Sequence, residues 1–286
     1  GRGTARNIVC PIHRWSYDLH GVQRAAPHFS ELPCLNLPTR PLQRWNGLLF
    51  DGPGDVAADL AGFSMATAFD YSGYVYDSTA VDEYAVNWKT FLEIYLELYH
   101  VEPFHSGLRG YADCGVFSPG DWEFGECWSN QVIALRSDTS RASDAYQRYY
   151  RLATDFRGEP PRHAALWFCY YPGLMLEWYP EALAVSFLIP RSPSSTINVV
   201  DFFYPPDVVA DQREIVDAHQ TAYGESADED REIVERIDAG RRALYAQNMD
   251  DFGPYQEPLE DGMVHFHRWL RQRLEPHLNG GRPAGR

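Results

Sequence analysis

His100 and His105 stand at the end of the segment Asn-Trp-Lys-Thr-Phe-Leu-Glu-Ile-Tyr-Leu-Glu-Leu-Tyr-His-Val-Glu-Pro-Phe-His, residues 87–105. Phe91, Ile94, Tyr95 and Leu98 recur at helical spacing and define an apolar face, while Glu93, Glu97 and His100 form a polar stripe on the same helix. Five residues of straight helix turn the chain by roughly 140°. The two imidazoles therefore meet only if the helix stops between them, and Pro103 is expected to supply that stop. The spacing suits a metal pocket at a helix end. Two neutral imidazoles and one carboxylate make a facial triad that holds Fe(II) and leaves positions open for dioxygen. The plainer alternative is a helix with one core and one surface histidine.

The candidate carboxylate is Asp230. Residues 207–250 read as helical, with Ser226 and Glu229 at capping-box spacing and Ile233, Val234, Ile237 and Leu244 setting an inward face. Asp230 precedes Ile233 and Val234 by one helical turn, which puts it on the buried side. A lone carboxylate there costs several kcal/mol unless it is paired or binds metal. The competing reading is a partly solvated first-turn aspartate, the kind of helix-start role expected of Asp228 and Glu229. Near the other end of the chain, Cys10 and His13 form a Cys-x-x-His, half of a metal site of either the zinc or the iron–sulfur kind. His265 and His267 lie in an amphipathic helix within 255–278 and read as packing or surface residues.

The elements that must position these groups follow a simple order. Residues 9–21 give two short strand-like runs with a turn between them. A proline-rich loop and the strand-like 45–50 lead to Asp51-Gly52-Pro53-Gly54, the clearest boundary signal in the chain. After the histidine helix, residues 111–205 are strand-like apart from a helix or loop at about 140–155. Successive strands with short turns predict an antiparallel sheet, and the flanking helices make the class α+β. The tail after Asn279 is rich in Gly, Pro and Arg and is expected to be disordered.

The 286 residues carry a formal charge of −15, which speaks against nucleic-acid binding and against a polybasic membrane contact. Five scattered cysteines do not make a secreted disulfide framework. No apolar run nears the ~18 residues of a spanning helix, and no signal peptide is evident, so a cytoplasmic protein is expected. Glycine-rich phosphate loops and Gly-x-Ser-x-Gly elbows are absent from the sequence, which disfavours nucleotide-binding and hydrolase readings.

Pro11, Trp15, Tyr17, Asp18 and Gly21 around Cys10 and His13 make that string similar to the second half of the Rieske motif, Cys-Pro-x-His-x-Trp-x-Tyr-Asp-x-x-Gly, of ring-hydroxylating oxygenases. Asn87-Trp88-Lys89 followed by Glu93, Tyr95, Glu97, Tyr99-His100 and His105 resembles the mononuclear iron segment of the same family. Glu229-Asp230 ahead of Gly240 resembles its carboxylate segment. The resemblance runs over nearly the whole chain and identifies it as a member of the Rieske non-haem iron oxygenases, large (alpha) subunit.

That membership implies the C-terminal part of a Rieske β-domain over residues 1–54, followed over 55–278 by a helix-grip catalytic domain, an antiparallel sheet bent around a long helix. His100, His105 and Asp230 would hold Fe(II). Cys10 and His13 would be two of the four ligands of a [2Fe–2S] cluster, whose first half, a Cys-x-His, is expected further upstream in a longer protein. Glu97 would bridge His13 of one subunit and His100 of the next in a ring-shaped homotrimer. Electrons would come from a separate ferredoxin or flavin/iron–sulfur reductase. The implied reaction is O2-dependent hydroxylation or dihydroxylation of an aromatic compound, or oxidative N-dealkylation of an amine; Glu rather than Asp at position 97 resembles the branch acting on quaternary amines. The rival reading is a helix-grip small-ligand binding protein with a vestigial metal site. Of the aromatic run Trp167, Phe168, Tyr170, Tyr171 and Trp178, at most half can line a cavity, because a strand turns alternate residues to opposite faces.

Overall fold

The computed structural model describes residues 4–115, 121–249 and 253–279. The chain divides into two units: one from the segment up to Trp45 with Leu49–Val56, the other from Asn46–Leu48 with the chain from Ala57 on. The expected disordered tail falls outside the described residues, apart from Asn279, where the last helix ends.

In the first unit β1 (Asn7–Val9), β2 (Ser16–Asp18) and β3 (Gln23–Ala25) form an antiparallel sheet. Asp18 ends β2 by accepting the amides of His20 and Val22, each at 2.9 Å, and its other oxygen pairs with Arg24. A hairpin follows, β4 (Gln43–Trp45) and β5 (Leu48–Phe50). The single strand expected over 45–50 is thus two. Asn46 and Gly47 both take positive φ, 45° and 84°, the pair of conformations a two-residue hairpin turn requires. A Cβ on Gly47 would lie 2.6 Å from the Ser72 nitrogen, so no other residue fits there.

The second unit begins with α1 (Val56–Asp59, its first residue shared with the other unit) and continues through the edge strand β6 (Val75–Tyr84) to α2 (Trp88–Tyr95) and α3 (Val101–Phe104). A 3-10 turn, Tyr71–Gly73, precedes the ten-residue β6. Next come β7 (Ala112–Asp113), β8 (Asp121–Phe124), β9 (Trp128–Leu135), α4 (Asp144–Arg157), β10 (His163–Tyr170), β11 (Leu174–Tyr179), β12 (Ala182–Ser192) and β13 (Ser195–Tyr204). The chain then closes with α5 (Pro206–Asp211), the 34-residue α6 (Arg213–Ala246) and α7 (Asp261–Asn279). The eight strands make one antiparallel sheet in the order β6-β13-β12-β11-β10-β9-β7, with β8 also on β9.

One face of the sheet carries the long helix. Ile215, Val216, Ala218 and Ala222 of α6 join Tyr146 and Tyr149 of α4 over Ala164, Ala184, Val200 and Phe202 of the strands, the small alanines letting the layers approach. Leu92 and Leu96, with Phe266 of α7, cover Cys169 and Met175. Phe168, one residue out of step, faces the other way and stacks on Phe63 at 4.6 Å between centroids. Each such fully buried side chain contributes roughly 1.5–3 kcal/mol. Local chemistry sets the helix ends: the Asn87 side chain accepts the Lys89 amide at 3.0 Å to start α2, and Gly158, at φ +79°, stops α4. Among the described residues, no helix is long and apolar enough to cross a membrane.

Candidate metal centre

The bend that brings the two histidines together is made by Glu97, upstream of Pro103. Helix α2 ends at Tyr95, and one Glu97 oxygen then accepts the amides of Tyr99 and His100, reversing the chain. His100 and His105 flank the four-residue α3 as its N-cap and C-cap. Pro103 sits inside that helix, in a first turn whose amides have no intrahelical acceptor, so its missing N–H costs nothing there. Gly110 fixes the following loop: a Cβ on it would lie 2.2 Å from the Ala142 nitrogen.

Asp230 comes from the middle of α6, and its Oδ1 lies 3.0 Å from His105 Nε2 and 3.5 Å from His100 Nε2. The two Nε2 atoms are 3.2 Å apart. Among the described residues these three are the one group of His, Cys, Asp or Glu, three or more strong, that can hold a metal ion. On the far side of each ring stands a carboxylate: Glu97 Oε1 against His100 Nδ1, and Glu229 Oε2 at 2.9 Å from His105 Nδ1. Each carboxylate is placed to accept the Nδ1–H, and in that tautomer the Nε2 lone pair turns inward.

Three acceptors then face one point, and Asp230 Oδ1 is buried without a well-aligned hydrogen bond. A cation satisfies such a cluster, whether a metal ion at its centre or a proton on an imidazole. Edges of about 3 Å are those of three adjacent ligands about 2.1 Å from a common centre. Burial alone would raise the Asp230 carboxyl, but hydrogen bonds and charge from the two imidazoles, when these carry a proton at Nε2, hold it down at about 2. Burial lowers His100, and the neighbouring Asp230 and Glu97 more than reverse this.

Glu229 is the site residue that sequence reading assigned elsewhere. The capping box at Ser226–Glu229 is not a helix start, because α6 begins at Arg213 and runs through it. Ser226 instead bonds the Tyr146 hydroxyl at 2.8 Å, and Glu229 serves His105 and Ser106. Its signal in the sequence was adjacency to Asp230, a second carboxylate on a helix already expected to pass the histidines. Glu93, one turn before Glu97, points away from the centre to Arg241 and to His267, at 2.8 Å from the latter. His265 bonds the Tyr171 hydroxyl at 3.0 Å and stacks on Phe124, so it packs between α7 and the sheet, while His267 bonds Glu93 of α2 and the Tyr255 hydroxyl.

Cys10 and His13 occupy the turn between β1 and β2. The Cys10 amide donates to Trp15 O at 2.8 Å, and the Arg14 amide to Cys10 O at 3.1 Å. The amides of His13 and Ile12 aim at the Cys10 sulfur and draw its thiol below the ordinary range, the polarity that a thiolate ligand needs. His13 is exposed.

The cluster of His100, His105 and Asp230 opens on a cavity of about 460 Å³, a size suited to a small molecule. Of the aromatic run, Trp167 lines it; Phe168 faces the opposite side of the sheet, Tyr170 bonds Asp59, and Tyr171 packs on Phe266 of α7. Among the described residues the lining is acidic, with Asp82, Glu97, Glu177, Asp228 and Asp230, against one cation, Arg231, which pairs with Asp82 at 2.8 Å. Glu177 on β11 is 4% exposed and accepts the hydroxyls of Tyr223 and Tyr179. Burial raises its carboxyl to about 7, against what the two phenols' hydrogen bonds would do. Sequence reading passed over it inside an apolar run.

A sheet closed on one long helix, with a two-histidine, one-carboxylate cluster at the cavity wall, is the build of a mononuclear non-haem oxygenase. The family model for the ring hydroxylating alpha subunit (catalytic domain) matches residues 67–276. The chain is 48% identical over 277 residues to putrescine 2-hydroxylase of Ralstonia nicotianae, covering 96% of this chain and 75% of that protein. It is 45% identical over 273 residues to putrescine 2-hydroxylase of Bordetella bronchiseptica, covering 95% of this chain and 63% of that one. Its fold is similar to that of a quaternary ammonium Rieske monooxygenase solved with an inhibitor, at a TM-score of 0.71 and 18% identity, covering 94% of this chain and 72% of that one. The chain belongs to the ring-hydroxylating alpha subunits of Rieske oxygenases, and is an oxidoreductase.

Proposed function

We infer that the protein is an amine monooxygenase in which His100, His105 and Asp230 hold Fe(II) and the cavity beside them takes a small aliphatic amine. The observation that carries the reading is the three-acceptor cluster backed on both histidines by carboxylates. When bound, the iron supplies dioxygen activation, with electrons relayed through a [2Fe–2S] cluster from a separate ferredoxin or flavin reductase. Glu97 and Glu229 accept the Nδ1–H groups and orient the rings with Nε2 toward the iron position. The apolar walls exclude water, and the acidic lining attracts a cation. That lining, together with the putrescine 2-hydroxylases among the relatives, supports hydroxylation of an amine over attack on an aromatic ring.

Cys10 and His13 are proposed as cluster ligands, residues 1–54 as part of a Rieske domain and 55–278 as the catalytic domain. A ring-shaped homotrimer would let Glu97 link His100 to a neighbour's cluster; Tyr99 and Phe104 beside it, 55% and 51% exposed, support a subunit contact there. The test is product analysis with the full-length enzyme, a reductase, dioxygen and a panel of amines and aromatic acids. Amine-dependent oxygen uptake with one hydroxyl gained per turnover is expected. Uptake only with aromatic substrates sinks the amine reading.

A further inference from the structure

Glu177 has no basic partner among the described residues, and an unpaired buried carboxylate is costly. Alternation along β11 turns Met175, Glu177 and Tyr179 together into the cavity. In the sheet register Glu177 stands directly between Trp167 of β10 and Ala184 of β12, and Phe202 of β13 follows Ala184. An indole flanks the carboxylate on one side, and the short Ala184 leaves room on the other. Tyr223 Oη donates to Oε1 at 3.0 Å and Tyr179 Oη to Oε2 at 2.5 Å. Two of about four acceptor positions on the carboxylate are thereby used, and the rest have no donor among the described residues. A carboxylate held in orientation by two phenols and walled by aromatic rings is the chemistry that receives an organic cation, through charge and through the ring faces.

We propose that Glu177, framed by Tyr179, Tyr223 and Trp167, is the subsite that binds the ammonium group of the substrate amine. The subsite deepens the amine reading and rests on it. Glu177 binds and positions; it takes no part in making or breaking bonds.

The test uses the full-length, metal-loaded enzyme without dioxygen. Binding of 1,4-diaminobutane and of the uncharged 1,4-butanediol is measured by calorimetry for the wild type, Glu177→Gln and Tyr223→Phe. Glu177→Gln is expected to weaken diamine binding about 10–100-fold, the worth of a charged hydrogen bond, with iron content unchanged and diol binding little altered. Tyr223→Phe is expected to weaken the diamine a few-fold. Wild-type diamine affinity in Glu177→Gln overturns the subsite and leaves the amine reading standing. A wild type that binds neither 1,4-diaminobutane nor butylamine overturns both. Should Glu177→Gln fail to fold, Glu177→Asp and Tyr223→Phe carry the test, and unchanged diamine affinity in both overturns the proposal.

Discussion

Asp230 and Glu177 look into one cavity, the first from helix α6 and the second from strand β11, and burial pushes both carboxyls upward. They end far apart, at about 2 and about 7, because Asp230 meets two imidazoles and Glu177 meets two phenols. The neighbours of Asp230 bring ring nitrogens to a shared point, where either a proton or a metal ion balances the carboxylate. Those of Glu177 bring only hydroxyl protons and leave its charge uncompensated, which suits an organic cation that comes and goes. Burial alone does not reveal what a carboxylate binds; the atoms facing it do.

The comparison breaks first at the metal. Asp230→Ala, or His100→Ala, is expected to abolish iron binding, read by metal analysis after gel filtration; stoichiometric iron in either variant removes the proposed ligand set. Glu177→Gln should do the opposite of harm to the fold. The folded-state carboxyl titrates near 7 and the unfolded one at the ordinary 4.5, so the folded chain keeps a proton that the unfolded chain has released, and stability falls as pH rises from 4.5 to 7. Gln removes that penalty, and the variant is expected to gain up to about 3 kcal/mol at pH 8 and little at pH 4. Urea unfolding at the two pH values checks it, and an equal shift at both contradicts it.

A smaller effect sharpens the metal side. Glu229→Gln leaves His105 in place but weakens the acceptor behind it, and iron affinity is expected to drop about 10–100-fold, measured by competition with a chelator. His219 gives a control with no carboxylate against it among the described residues. It bonds the Tyr204 hydroxyl at 2.8 Å inside a ring of aromatic side chains, and burial pushes it down to about 3. Its folded pKa lies below the unfolded 6.5, so its contribution is complete above pH 6.5 and is lost as pH falls below that; at pH 5 the loss is about 2 kcal/mol. Wild type should therefore lose more stability than His219→Gln between pH 7 and pH 5 in thermal melts.

The pieces legible in the sequence were those set by local spacing. The gap between His100 and His105, the turn at Cys10 and the run of β-strands each depend on a few neighbouring residues, and the structure has the antiparallel sheet they predict. The burial cost of Asp230 pointed to the right helix face even though the helix start was misplaced. Alternation along β11 separates two faces without saying which one meets the cavity, so Glu177 stayed hidden among Leu176, Trp178 and Tyr179. A lone acid in an apolar strand was the available signal, by the same burial argument applied to Asp230. Asn46-Gly47 was a visible hairpin turn that the strand-like residues on either side masked. Glu229, beside Asp230, was masked for another reason: a capping box is only a local pattern, and a 34-residue helix packed over the sheet runs straight through it.

His105 and Glu229 are 124 residues apart in sequence, and Asp230 follows directly. A cation shared by α3 and α6 therefore closes a very long loop, much as a crosslink would. Because closure entropy grows only with the logarithm of loop length, one small ion can tie the two halves of the sheet's path together at little more cost than a local clip. Metal loading should then show up in folding as well as in turnover: the middle of α6 becomes the stretch whose amides exchange with solvent most differently between the loaded and the empty protein.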